Sequence, residues 1–149
     1  MGSVNGSSGG PVLSLPIHGS TEAPRIARHA VLSRLEQRVA DDTAHDIGLV
    51  ISELVTNSVL HSDLSADDTV LIEITVGDDR LAIAVTDPGS DSAPRVLPRD
   101  RATSHGFGLQ LVDDISASWG VRRSPGVTRV WCELPLPKPK LTAATPGVS

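Results

Sequence analysis

Two alternating runs, "TVLIEITV" at 69–76 and "LAIAVTD" at 81–87, flank the short segment "GDDR", and together they limit the fold more than any other feature. Side chains on a strand point alternately to its two faces. Val70, Ile72, Ile74 and Val76 therefore share one face of the first run, and Leu81, Ile83 and Val85 share one face of the second. Small Ala82 and Ala84 occupy the second run's other face. Gly77 and Asp78 suit a tight turn, so the pair reads as a β-hairpin. An isolated hairpin is marginal in water, and its apolar face needs a cover.

Helical segments supply that cover. "DDTAHDIGLVISELVTNSVLHS" opens after Asp41 and Asp42 and carries a buried stripe of Ile47, Val50, Ile51, Leu54 and Ser58. An earlier helix starts near Thr21 and Pro24, with Ala27, Val31, Leu35 and Val39 spaced four apart. A third helix, opening at "HGFGLQLV", buries Leu109, Val112, Ile115 and Trp119. "VLSLPI" forms a first strand at a sheet edge, where Pro16 is tolerated, and "GVTRVWCEL" forms the last. The expected order is strand, helix, helix, hairpin, long loop, helix, strand. That order predicts an α/β two-layer sandwich, a mostly antiparallel or mixed sheet covered on one face by three helices.

A chain of 149 residues, 39% hydrophobic, holds one domain. Residues 1–11 are expected to be a flexible leader, 12–136 the folded domain and 137–149 a flexible, proline-broken tail. A net charge of −5 speaks against a broad electrostatic grip on nucleic acid. The lone Cys132 excludes an internal disulfide framework, and scattered histidines without companions give no zinc signature. No run approaches the roughly 18 apolar residues of a membrane span, so a cytoplasmic protein without a membrane partner is expected.

Several positions carry chemistry. Glu53 and Asn57 lie four apart on the long helix, about 90–130° from the centre of its apolar stripe. They border a cleft there, or they form an ordinary polar flank. Asn offers magnesium a hard oxygen without further negative charge, and Glu can take a proton from a nucleophile. Asp87 and Gly89 close a strand in "VTDPGS": the carboxylate can accept a hydrogen bond from an exocyclic amine and the glycine admits a ring, or the segment is a plain turn. Thr128 is placed to bond a base or a sheet neighbour. Gly106 and Gly108 bracket Phe107 at a helix start, where unpaired N–H groups favour anions; the same pattern also makes an ordinary turn.

In order and spacing, "ELVTNSVLH" on a helix, "DPG" after a strand, "HGFGLQLV" opening a helix and "GVTRVWCELP" on a strand resemble the GHKL ATP-binding domain. That domain is shared by DNA gyrase, Hsp90, histidine kinases and MutL, and its fold is the Bergerat-type α/β sandwich. The resemblance spans roughly 12–136. "ELVTNSVLHS" with "GVTRVWCELP" looks in particular like the actinobacterial single-domain anti-sigma-factor serine/threonine kinases.

The resemblance implies ATP and Mg2+ as cofactors, with Glu53 the catalytic base and Asn57 the metal ligand. It makes Asp87, Gly89 and Thr128 the adenine end, and Gly106, Phe107, Gly108 and Leu109 the phosphate cradle, with His61 and His105 nearby. The implied partners are a sigma factor and an anti-anti-sigma factor of STAS type, and the exposed first strand adds a possible homodimer. The segment between Gly89 and Gly106 corresponds to the family's lid. It is short, has no further glycine-rich turn before His105, and carries Arg95, Arg99 and Arg101. This departure keeps open a second reading: an ATP-binding sequestration module with little or no kinase activity.

Overall fold

The computed structural model describes residues 13–35, 38–61, 64–65, 67–88 and 106–136. Gly89, His105 and the lid arginines, like the leader and the tail, lie outside the described residues. Eight elements follow in the order β1 (Leu13–His18), α1 (Ala23–Leu35), α2 (Asp41–His61), β2 (Thr69–Val76), β3 (Arg80–Asp87), α3 (Gly106–Ile115), β4 (Ser118–Ser124) and β5 (Val127–Pro135).

The strands form one sheet ordered β1-β2-β3-β5-β4, and every neighbouring pair is antiparallel. β2 and β3 make the expected hairpin, closed where Gly77 N–H donates to the Arg80 carbonyl at 2.8 Å. Their alternation decides which face is covered. Val70, Ile72, Ile74, Leu81, Ile83 and Val85 are wholly buried and form one cluster with Ala27, Val31 and Leu35 of α1 and Ile47, Val50, Ile51 and Leu54 of α2.

Local chemistry sets the helix starts. The Ser20 side chain accepts from Glu22 N–H at 3.2 Å and its carbonyl accepts from Ala23 N–H at 3.0 Å, with Pro24 in the first turn. α2 begins at Asp41, so Asp41 and Asp42 lie inside its first turn, where negative charge is stabilised by the positive end of the helix dipole. Val39, expected on the stripe of α1, packs against the core from beyond the helix, which ends at Leu35.

One element differs in kind from the expectation. The third helix stops at Ile115, and Trp119 belongs to a strand that the sequence reading merged into it. The changeover is visible in the backbone: Ser116 N–H still donates to the Val112 carbonyl at 2.8 Å, but Ala117 N–H donates to Glu133 of β5 at 2.8 Å. Trp119 still meets α3, since its indole N–H donates to Asp113 at 2.8 Å. β4 then returns through Pro125-Gly126 into β5, and Gly126 has a φ of 78°. Proline followed by a positive-φ glycine is the type II turn pattern.

Candidate functional site

Topology brings five element ends together. β2 begins at the edge of the sheet where β3 ends, because Leu71 pairs with Thr86. α2 runs into β2 through 62–68, so its C-terminal half stands over that same edge. β5 begins there as well, with Thr128 directly opposite Asp87. α3 leads into β4 at the far edge, where Ser118 pairs with Glu133, so Gly106 at its start lies back toward Asp87. The hairpin of β2 and β3 thus fixes the site as much as it fixes the core.

Asp87 is the least expected side chain at this edge. It is only 3% exposed and continues the face occupied by Leu81, Ile83 and Val85. Burying a carboxylate costs several kcal/mol unless other groups satisfy it, and Asp87 does interact within the folded chain. Its register partner Thr128 is partly buried and presents a hydroxyl on the same face. A carboxylate beside a hydroxyl offers a donor-bearing ligand two acceptors at one point of the sheet.

Glu53 and Asn57 are both partly exposed on α2, between the buried stripe and solvent. Four residues of helix separate them by about 6 Å along the axis. Ser58, next to Asn57, belongs to the core stripe at 2% exposure, and its hydroxyl has no hydrogen-bond partner among the described residues. His61 is the last residue of α2, and Gly106, Phe107, Gly108 and Leu109 are the first four of α3. The free N–H groups of a helix start therefore sit at Gly106–Leu109.

Among the described residues no cluster of three or more His, Cys, Asp or Glu side chains forms a self-sufficient metal cage. The donors fit magnesium in another way. That ion takes few protein oxygens and completes its shell with phosphate oxygens and water, so the single amide oxygen of Asn57 suits it when a nucleotide is present. No helix among the described residues is long and apolar enough to cross a membrane.

The sequence reading missed one residue of this edge. Arg123 of β4 stands opposite Thr128, in line with Asp87. The Pro125-Gly126 pair between two β-prone stretches was the signal that would have revealed β4, and with it Arg123.

A helix-covered antiparallel sheet with its polar groups gathered at one edge is the arrangement of a nucleotide-binding ATPase domain. The histidine kinase-like ATPase domain matches residues 19–133, and the chain belongs to that family. An anti-sigma F factor of Pasteuria penetrans is 30% identical over 111 residues, covering 68% of this chain and 73% of the relative. An anti-sigma F factor of Clostridium botulinum (strain Eklund 17B / Type B) is 32% identical over 76 residues, 49% of this chain and 52% of the relative, so the match spans about half of that protein. The crystal structure of the RsbU and RsbW domains of a Mycobacterium tuberculosis protein superposes with a TM-score of 0.61 at 21% identity, covering 85% of this chain and 32% of that one. That last likeness establishes the fold.

Proposed function

We propose that the chain is an ATP-binding anti-sigma factor that holds a sigma factor and acts as a serine/threonine-protein kinase on an anti-anti-sigma partner of STAS type. The buried Asp87–Thr128 pair carries this reading, for it sets a carboxylate beside a hydroxyl on a mostly apolar sheet face, in a chain of the ATPase family. Support for the sigma-factor role comes from the two anti-sigma F factor relatives.

In this reading the adenine amine donates to Asp87, with Gly89 and Thr128 shaping the base pocket. The N–H groups at the start of α3 receive phosphate oxygens, with His61 and His105 alongside. Asn57 holds Mg2+, which when bound neutralises phosphate charge. Glu53 accepts the proton of the incoming serine hydroxyl, and the chain otherwise contributes alignment. The exposed backbone of β1 pairs two copies into a homodimer.

Calorimetric titration with Mg-ATP, run in parallel on wild type, Asn57→Ala and Asp87→Asn, tests the site. Saturable binding to wild type and at least tenfold weaker binding to both variants is expected, since each loses an interaction with a charged or metal-linked group of about 1.5–3 kcal/mol. Absence of wild-type binding by the folded protein would sink the nucleotide reading. Glu53→Ala should keep ATP affinity and lose about 100-fold or more of phosphate transfer to a STAS domain. Partner capture that survives Glu53→Ala, with no transfer by wild type, would identify a sequestration module instead.

A further inference from the structure

The helix-facing side of the sheet is apolar along nearly its whole extent. Leucine, isoleucine, valine, Cys132 and Trp119 fill it, and among the described strand residues on that face two are charged, Asp87 and Arg123. Both stand in a single cross-strand row: Asp87 on β3 opposes Thr128 on β5, and Thr128 opposes Arg123 on β4. With strands about 4.8 Å apart, the row is about 10 Å long.

Neither charge sits there as a solvated surface group. Asp87 is almost fully buried, Arg123 is half-buried with its Nε shielded from solvent, and both interact within the folded chain. Placing two charges on a core-facing surface is costly where apolar side chains would pack freely. The cost falls at the one edge where α2, α3, β3 and β5 converge, and at the other end of the same face Leu81 and Leu134 pair instead.

The row has a direction. It runs from a carboxylate through a hydroxyl to a guanidinium, so a ligand with an amine at one end and an anion at the other fits it in one orientation. Arginine's planar fork matches phosphate oxygens in a way that lysine's point charge does not. Resting on the nucleotide reading above, we infer that Arg123 is a nucleotide-positioning residue: it binds the phosphate attached to the ribose and fixes the nucleotide along the row, base amine at β3 and first phosphate toward β4. The later phosphates then meet the start of α3, which lies over the same edge.

Adenosine and AMP separate this role from a structural one, because they differ only in that phosphate. Calorimetry on wild type, Arg123→Gln and Arg123→Lys, each checked for folding by circular dichroism, provides the measurement. For Arg123→Gln, AMP affinity should fall about tenfold and adenosine affinity should stay within about twofold, the loss expected for one charge-assisted contact. Arg123→Lys keeps the charge without the fork, and should lose part of the AMP affinity and none of the adenosine affinity; this variant carries the test alone if the glutamine variant does not fold. Equal losses for adenosine and AMP, or no loss for AMP, would overturn the role of Arg123 while leaving the nucleotide site standing. Failure of the wild type to bind ATP, AMP or adenosine would overturn both.

Discussion

Single side chains in this protein are judged by the face they occupy. Cys132 on β5 points into the core, and burial, with the nearby Glu133 carboxylate adding to it, pushes its thiol up to about 11 from 9.0. The unfolded thiol ionises from about pH 9, so between pH 9 and 11 the unfolded chain binds fewer protons than the folded one and stability falls with rising pH. The loss amounts to about 3 kcal/mol at most. Denaturant titrations at pH 8 and pH 11 should show a larger decline for wild type than for Cys132→Ala, and parallel declines would contradict the burial argument. Asp87 shows how much of the site was readable at this scale: "VTDPG" marks a carboxylate at a strand end, but the same letters describe a solvated turn. Its burial, at 3% exposure, is a property of the assembled fold that those letters do not carry.

Among the elements, β4 decides the most and was the least legible. Its sequence "SWGVRRS" has a glycine at its third position and only two aliphatic or aromatic side chains on its core face, Trp119 and Val121, and Trp119 also falls on the helical spacing of α3. The strand exists because β5 offers it an edge. Gly120 lies opposite Trp131, and a Cβ at Gly120 would come within 2.8 Å of the Trp131 ring. The indole therefore lies over the glycine on the open face of the sheet, covering backbone that the strand itself leaves bare. Gly120→Val should destabilise the protein by about 1–3 kcal/mol through overpacking. Trp131 emission should shift at the same time, and an unchanged melting temperature with unchanged fluorescence would show that the ring moves aside freely. The ion pairs on the open face matter less, since Arg80–Glu133 at 2.9 Å is largely solvent-exposed.

Taken as a whole, the described residues form a sheet with two unequal sides, and no described strand pairs with either outer edge. Helices cover one side of the sheet, and the edges belong to β1 and β4. Pro16 and the short length of β1 blunt one edge, yet alternate backbone groups of β1 point away from β2, and no described strand pairs with them. If two copies pair there, light scattering should give a mass near twice 15.6 kDa at micromolar concentration, and a charged or proline substitution at Ser14 should return it to the monomer value. A mass that stays at 15.6 kDa across working concentrations would remove the homodimer from the proposed function.

The sequence by itself determined the hairpin, the stripes of α1 as far as Leu35 and of α2, and the one-sided cover, because hydrophobic periodicity is a local property written into each segment. It also marked Asp87, Thr128, Glu53 and Asn57 as groups able to meet a nucleotide, each with an ordinary alternative beside it. Only the tertiary structure decided that Asp87 is buried, that Thr128 stands opposite it, and that Arg123 completes their row. Those facts are set by strand order and register, which depend on pairings between distant segments: β5 lies between β3 and β4, and no periodicity within a single segment specifies that neighbour.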